Sequence, residues 1–150
     1  RLIVVEPNAS RCLYESGRAG RAVEVSGQVE SVMDGLVVET PAAAAWEMLS
    51  AGAFAFLSVP DEAAIDAMQQ AARPAPGDPP AVIGDTGSAG WAGFLAASKD
   101  KALRRQLGLD GDSQVVVVVT EGATDPAVYR DIVGVDAATV LGASVSGENG

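Results

Sequence analysis

Five consecutive valines at residues 115–119 constrain the fold of this chain more than any other feature. β-Branched residues favour strands, and an apolar run without polar alternation is typical of a strand buried on both faces. Such strands lie in the middle of a parallel sheet that has helices on both of its sides. The run therefore predicts an α/β fold with three layers and a mostly parallel sheet.

Segments of strand and helix character alternate along the rest of the chain, as this fold class requires. Further strands are predicted at residues 2–5, 22–25, 54–59 and 81–83. Helices are predicted at residues 11–17, 29–34, 42–49, 61–72, 91–107 and 125–133. Asp125 and Pro126 are the expected N-cap and first residue of the last helix, and Asn8 or Ser10 is the expected N-cap of the first.

The chain is predicted to form one domain over residues 1–141, with no internal repeat or linker. Residues 142–150 end in small, polar, aperiodic sequence and are expected to form a flexible tail. An apolar strand pattern begins at the very start of the chain, whose first residue is arginine and not methionine. We therefore expect the chain to be part of a larger protein.

The charged residues limit the partners of the chain. There are 20 acidic and 10 basic residues, a net charge of −10, and the basic ones are too scattered to follow a nucleic-acid backbone. With no histidine and one cysteine, the sequence offers few metal ligands and no internal disulfide. It has no apolar run of the roughly 18 residues that span a membrane, and its first residues lack the layout of a signal peptide. These features favour the cytoplasm.

Two loops that follow predicted strands are candidate ligand sites, because ligands of such sheets bind at the carboxyl ends of the strands. The first, residues 84–90, has three glycines in the spacing G-x-x-G-x-x-G. This spacing differs from the G-x-G-x-x-G dinucleotide motif, and the loop lacks the lysine of a P-loop. The glycines allow a ligand to approach the backbone. The alternative is a tight turn in which Thr86 or Ser88 caps the next helix.

The second loop follows the valine run and places Thr120 and Glu121 at the end of a central strand. The alternative is a turn that leads to the N-cap Asp125. Covalent catalysis has little support, because Lys99 and Lys101 lie in a charged stretch of a predicted helix and are expected to be solvated. A reactive cysteine is not expected either, since no histidine base is present in the chain.

Several motifs occur in an order that resembles one enzyme family. They are VVEPNASRCLYES, GQVESVMDGL, PAAAAWEML, GDTGSAGWAG and VVTEGATDPAVYRDIV. From about residue 2 to residue 133, the chain resembles the C-terminal portion of the diaminopropionate ammonia-lyases. These are fold-type II enzymes that depend on pyridoxal 5'-phosphate (PLP), and they are related to threonine dehydratase and tryptophan synthase β. The resemblance implies the C-terminal part of a fold-type II large domain.

The resemblance also implies an activity, a cofactor and an assembly. The family eliminates ammonia from 2,3-diaminopropionate to give pyruvate, and it acts as a cytoplasmic homodimer. Its cofactor lysine, phosphate-binding loop and proton-abstracting residues precede the V-E-P motif, so this chain is expected to hold no catalytic residue and to be inactive alone. No metal is implied. By position, five residues are assigned to cofactor binding: Gly35, Asp85, Thr86, Gly87 and Thr120.

The resemblance gives two of these residues a particular place. Gly35 belongs to a step that passes one side of the cofactor ring, and Thr120 faces its pyridine nitrogen. Some positions depart from the family pattern, since Asp85 and Thr86 stand where the family has glutamate and serine, and residues 38–41 replace a C-G-E-P motif. The substrate is therefore open. Another amino-acid lyase or dehydratase of this fold is one alternative, and a non-catalytic α/β module that binds a small ligand at residues 84–90 is another.

Overall fold

The computed structural model describes residues 1–27 and 30–146, with side chains to residue 142. Its sheet consists of two parallel strands, β1 (Leu2–Pro7) and β2 (Ala53–Val59). A parallel pair needs a long crossover connection, and the chain between these strands provides it. The predicted α/β class and parallel pairing are confirmed, as are the strands at residues 2–5 and 54–59.

Seven α-helices occur in the described residues: α1 (Cys12–Ala19), α2 (Ala43–Gly52), α3 (Asp61–Ala72), α4 (Ala89–Lys99), α5 (Lys101–Leu107), α6 (Pro126–Val133) and α7 (Ala137–Ser146). The bounds of α3 are those predicted. The start of α6 is also as predicted, because the Asp125 side chain accepts hydrogen bonds from the backbone N–H groups of Ala127 and Val128. In the described part of the chain, no helix combines the length and apolar character needed to cross a bilayer.

The prediction of one helix over residues 91–107 is wrong, because Asp100 divides it. This residue is extended, and its side chain accepts hydrogen bonds from the backbone N–H of Ala102 at 2.7 Å and of Leu103 at 2.9 Å. It is therefore the N-cap of α5, a role for which aspartate is well suited. Apolar residues continue at helical spacing through the break, so the periodicity gave no sign of it.

Helix α7 extends through Ser146, so it includes residues 142–146 of the segment predicted to be a flexible tail. The flexibility of that segment stays a prediction. Residues 147–150 lie outside the described part of the chain. The predicted helix at residues 29–34 begins at an undescribed residue, and the structure has a short 3₁₀ helix at Asp34–Leu36.

The valine run does not form a strand in the described residues. Val116 is 90% exposed and Val118 is 75% exposed, although burial on both faces was predicted. Val117 packs closely on α4, where a Cβ added to Gly90 would lie 3.1 Å from Val117 Cγ1. A ladder needs neighbouring strands, and the described residues place none beside residues 115–119.

Two other predicted strands are wrong for a related reason. Within the described ranges, residues 22–25 and 81–83 form no ladder. The Val25 N–H donates a hydrogen bond to the Glu39 carbonyl, and the Ala81 N–H donates one to the Ala71 carbonyl. Isolated hydrogen bonds of this kind attach each segment to a neighbouring loop or helix and do not form a strand ladder.

Helix α3 joins the two apolar clusters of the core. Ala64 and Ala67 pack in a cluster with Met33, and Met68 packs in the other with Tyr129 of α6. The small side chains let the neighbouring segments approach closely, so burial is extensive without large residues. As a result, α3 fixes the segment around Met33 relative to α4 and α6.

The N-terminus of α1 is capped by a buried carboxylate and not by the predicted Asn8 or Ser10. Glu6 is 5% exposed and accepts hydrogen bonds from the backbone N–H of Leu13 at 3.0 Å and of Tyr14 at 2.7 Å. Burial raises the pKa of Glu6, although these two hydrogen bonds lower it. The sequence analysis missed this role, for which the one signal was an acidic residue at the end of an apolar strand.

The same carboxylate suppresses the reactivity of Cys12, whose thiol donates a hydrogen bond to it. Burial, together with the charge of Glu6, raises the pKa of Cys12 to about 11 from an ordinary 9.0. At pH 8 the folded chain therefore holds roughly 100-fold less thiolate than the unfolded chain.

We expect the one cysteine of this 150-residue chain to react with Ellman's reagent at least about 100-fold more slowly when folded than in guanidinium. The rate should rise when Glu6 is replaced by glutamine, because the charge that opposes ionisation is then removed. Equal rates in the folded and unfolded chain would contradict this account of Cys12.

Candidate functional site

A cleft of about 560 Å³ lies between β1, α4 and the valine run. Helix α4 packs closely on β1 at Gly93. A Cβ added to Gly93 would lie 2.6 Å from Val5 Cγ2. Both loops that the sequence singled out contribute to the wall of this cleft. Its lining includes Leu36, Thr86, Gly87 and Thr120.

Two of the predicted cofactor-binding residues are in direct contact. The backbone N–H of Gly35 donates a hydrogen bond of 2.9 Å to Thr86 Oγ1, across 51 residues of sequence. A Cβ at Gly35 would lie 3.0 Å from both Oγ1 and Cγ2 of Thr86, which is tighter than an ordinary contact. The absence of a side chain at Gly35 therefore allows this approach.

The glycine-rich loop is closely packed against the segment that follows the valine run. The Gly84 N–H donates a hydrogen bond of 3.1 Å to the Glu121 carbonyl. A Cβ on Gly84 would collide with the carbonyl oxygen of Gly122, and one on Gly87 would lie 2.5 Å from that of Glu121. These two glycines thus serve the close approach of another chain segment, which the sequence analysis did not anticipate.

The alternative prediction, that Thr86 or Ser88 caps the next helix, holds for position only: Ser88 is the N-cap residue of α4, but neither hydroxyl makes a capping hydrogen bond. The Thr86 hydroxyl is bonded to Gly35, and the Ser88 hydroxyl donates to the Asp85 carbonyl at 2.6 Å. No side-chain hydrogen bond caps α4. Asp85 instead accepts a hydrogen bond from the Thr86 N–H, so its carboxylate supports the loop from within.

Thr120 and Asp85 differ in their relation to the cleft. Thr120 lines it and is exposed, so its hydroxyl is accessible to a ligand. Asp85 is outside the lining, and its carboxylate is engaged by the Thr86 N–H at 2.6 Å. Of the two polar side chains, Thr120 is the one placed to meet a molecule in the cleft.

The two lysines lie away from this wall, at the junction of α4 and α5. Lys99 and Lys101 are both exposed, as predicted, and neither lines the cleft. A lysine that acts as a nucleophile needs a desolvated setting, and these two exposed positions do not provide one. Across residues 1–27 and 30–146, no group of three or more histidine, cysteine, aspartate or glutamate side chains is arranged to hold a metal ion.

Comparison with protein families matches residues 1–121 to a family described as pyridoxal-phosphate dependent enzymes. Two curated relatives are diaminopropionate ammonia-lyases. The chain is 36% identical to that of Escherichia coli over 135 residues and 34% identical to that of Salmonella typhimurium over 139 residues. These alignments cover 87% and 88% of the chain but 34% of each relative, so the chain spans about a third of their length. The resemblance predicted from the motifs is confirmed.

Solved structures agree with this result. Diaminopropionate ammonia-lyase from Escherichia coli in complex with D-serine superposes with a TM-score of 0.77 at 33% identity, over 87% of this chain and 33% of that one. Maize serine racemase superposes with a TM-score of 0.69 at 19% identity, over 87% of this chain and 37% of that one, which shows a shared fold alone. Together these neighbours confirm the predicted fold-type II class.

Proposed function

Because the chain belongs to the family of pyridoxal-phosphate dependent enzymes, we propose that it is part of an ammonia-lyase that converts 2,3-diaminopropionate to pyruvate and ammonia. The observation that carries the proposal is the meeting of two distant segments at one cleft, in a chain 36% identical to such an enzyme. Gly35 and Thr86 are hydrogen-bonded, and Thr120 lines the same cleft as Thr86.

The residues present fit one wall of a PLP site. A flat aromatic ring needs a cleft with apolar faces and a polar group at its edge, and here Leu36 and Val117 supply apolar surface while Thr120 supplies an exposed hydroxyl. We assign cofactor contacts to Gly35, Thr86, Gly87 and Thr120. Asp85, the fifth residue predicted, supports Thr86 from behind the wall.

When bound, PLP supplies the electron sink for the pair left on the substrate after its α-proton is removed. The residues of this chain orient the ring and set its electronic state. The Thr120 hydroxyl would donate a hydrogen bond to the pyridine nitrogen of the bound cofactor, which would favour the form of that nitrogen without a proton. A neutral ring would suffice as the electron sink, because the departing β-amino group takes up the electron pair of the C–N bond that breaks. Gly35 and Thr86, which are hydrogen-bonded to each other, would form part of the wall beside the ring, and Leu36 would exclude water there.

The covalent attachment and the phosphate-binding loop of the cofactor belong, in this proposal, to sequence outside residues 1–150. The exposed positions of Lys99 and Lys101 support this division. The complete enzyme is proposed to be a cytoplasmic homodimer, as the family resemblance implies. The presence of a single, buried cysteine is compatible with a reducing compartment.

A dehydratase acting on a hydroxy amino acid is the second candidate. It is favoured by the departure at residues 38–41, where Val38 and Glu39 are both exposed and the family motif C-G-E-P reads V-E-T-P. A change of this kind alters groups that would contact the substrate without altering the fold.

An assay of the full-length protein with three substrates separates the two candidates. We expect 2,3-diaminopropionate to give pyruvate and two molecules of ammonia, with kcat/KM at least about 100-fold above those for serine and threonine, a difference of roughly 3 kcal/mol in transition-state binding. A preference for serine or threonine would support the dehydratase instead. If none of the three is consumed by the PLP-loaded protein, the lyase proposal is wrong.

A further inference from the structure

We propose that Asp61, at the start of α3, is a positioning residue for the cofactor site. The inference rests on the proposed PLP site but not on the identity of the substrate. It concerns a segment, residues 31–36, that we call the ring-side loop. This loop carries Gly35, the residue in contact with Thr86, and Leu36, which lines the cleft.

Asp61 holds the beginning of the ring-side loop with both of its carboxylate oxygens. Ser31 Oγ donates a hydrogen bond of 2.6 Å to Oδ1, and the Val32 N–H donates one of 3.0 Å to Oδ2. Ser31 Oγ also accepts a hydrogen bond of 3.1 Å from the Met33 N–H. One carboxylate thereby fixes three consecutive residues of the loop, directly or through the serine hydroxyl.

The end of the ring-side loop is held by two other elements. The Thr86 hydroxyl accepts the hydrogen bond of Gly35, and the Ser10 hydroxyl donates one of 2.8 Å to the Leu36 carbonyl. The loop has no strand ladder and only a short 3₁₀ helix of its own. The conformation of the loop therefore depends on hydrogen bonds from side chains outside it. Of these side chains, Asp61 accepts two hydrogen bonds, whereas Thr86 and Ser10 make one each.

The packing of α3 makes Asp61 a rigid anchor. It is the first residue of α3, whose Ala64 and Ala67 are fully buried against the cluster that includes Met33. Met33 itself is completely buried, so the middle of the loop is held by packing on the same helix. A carboxylate on a fixed helix loses little freedom when it accepts hydrogen bonds, and this is what a positioning group requires.

The test compares three variants of the full-length protein. Asp61→Ala removes the hydrogen bonds to Ser31 and Val32. Ser31→Ala removes the hydrogen bonds of the serine hydroxyl and leaves α3 unchanged. Glu62→Ala removes the other acidic residue in the first turn of α3, which is exposed. The Glu62 variant controls for the interaction of a carboxylate with the helix dipole. Two properties are measured: the affinity of the apo-protein for PLP, by fluorescence titration, and amide hydrogen exchange.

We expect Asp61→Ala to weaken PLP binding at least about 10-fold and to speed amide exchange at residues 31–36, with exchange in the interior of α3 unchanged. Ser31→Ala should act in the same direction by a smaller factor, and Glu62→Ala should change neither property. If the Asp61→Ala variant does not fold, the PLP affinity and amide exchange of Ser31→Ala alone test the proposal.

Three outcomes would overturn the proposal: equal effects of the Asp61 and Glu62 variants, wild-type PLP affinity in the Ser31 variant, or accelerated exchange throughout α3. None of these measurements involves a substrate. A wrong assignment of the lyase reaction would therefore leave this result intact, and failure of PLP to bind the wild-type protein would mark failure of the proposed cofactor site.

Discussion

Replacing Gly84 with alanine is expected to destabilise the full-length protein by more than about 3 kcal/mol, at the upper end of what overpacking costs. The new Cβ would collide with the Gly122 carbonyl oxygen and would lie 2.6 Å from Glu121 Cγ. Because a backbone atom is involved, rotation of a side chain cannot relieve the collision. The hydrogen bond from the Gly84 N–H to the Glu121 carbonyl would be lost as the segments separate.

Gly122→Ala is the matched control for this variant. It adds the same methyl group to the opposite side of the contact, but a Cβ there meets no atom within 4 Å. We expect it to cost less than about 1 kcal/mol. Urea denaturation followed by tryptophan fluorescence measures both. Similar midpoints for the two variants would mean that the glycine-rich loop is not packed on this segment.

Replacing Thr120 with valine is expected to weaken PLP binding by about 10- to 100-fold and to lower kcat by a similar factor, because a hydrogen bond to a buried partner is lost. Threonine and valine are close in shape, so the fold should be preserved. The loss follows from the position of Thr120 in the cleft wall with an accessible hydroxyl.

Thr124→Val is the control, since Thr124 is exposed in the same loop but does not line the cleft. Asp85→Asn tests the competing assignment, in which a carboxylate faces the pyridine nitrogen. We expect it to reduce PLP affinity less than Thr120→Val, because Asp85 lies outside the cleft lining and its carboxylate accepts the Thr86 N–H. If Thr120→Val keeps full affinity and rate while Asp85→Asn loses both, the nitrogen is bound by the carboxylate.

Sequence patterns predicted the helices whose ends and buried faces are determined by residues within one continuous segment. Helix α3 was predicted with correct bounds because its apolar spacing and acidic first turn belong to one continuous segment. Helix α6 was predicted because Asp125 and Pro126 mark its start independently of the rest of the chain. The division at Asp100 was missed because its capping hydrogen bonds do not interrupt the apolar stripe.

Contacts between distant segments could not be predicted from the composition of the chain or from the spacing of its residues. The bond between Gly35 and Thr86 joins residues 51 positions apart, and only the family resemblance brought both to attention. The role of Asp61 toward Ser31 was not predicted at all. The valine run shows the same limit, since its sequence describes a buried strand while its burial depends on neighbours that the described residues do not supply. The curated relatives are about three times as long as the segment that they share with this chain. If the proposed function holds, sequence corresponding to the rest of their length supplies these neighbours.

We propose that residues 1–150 form one wall of a PLP site whose lysine lies elsewhere in the complete protein. Borohydride reduction of the PLP-loaded full-length protein, followed by proteolysis and mass spectrometry, tests it most directly. We expect a single pyridoxyl-labelled lysine outside these 150 residues, with Lys99 and Lys101 unlabelled. Stoichiometric labelling of Lys99 or Lys101, or a protein that takes up no PLP, would contradict it.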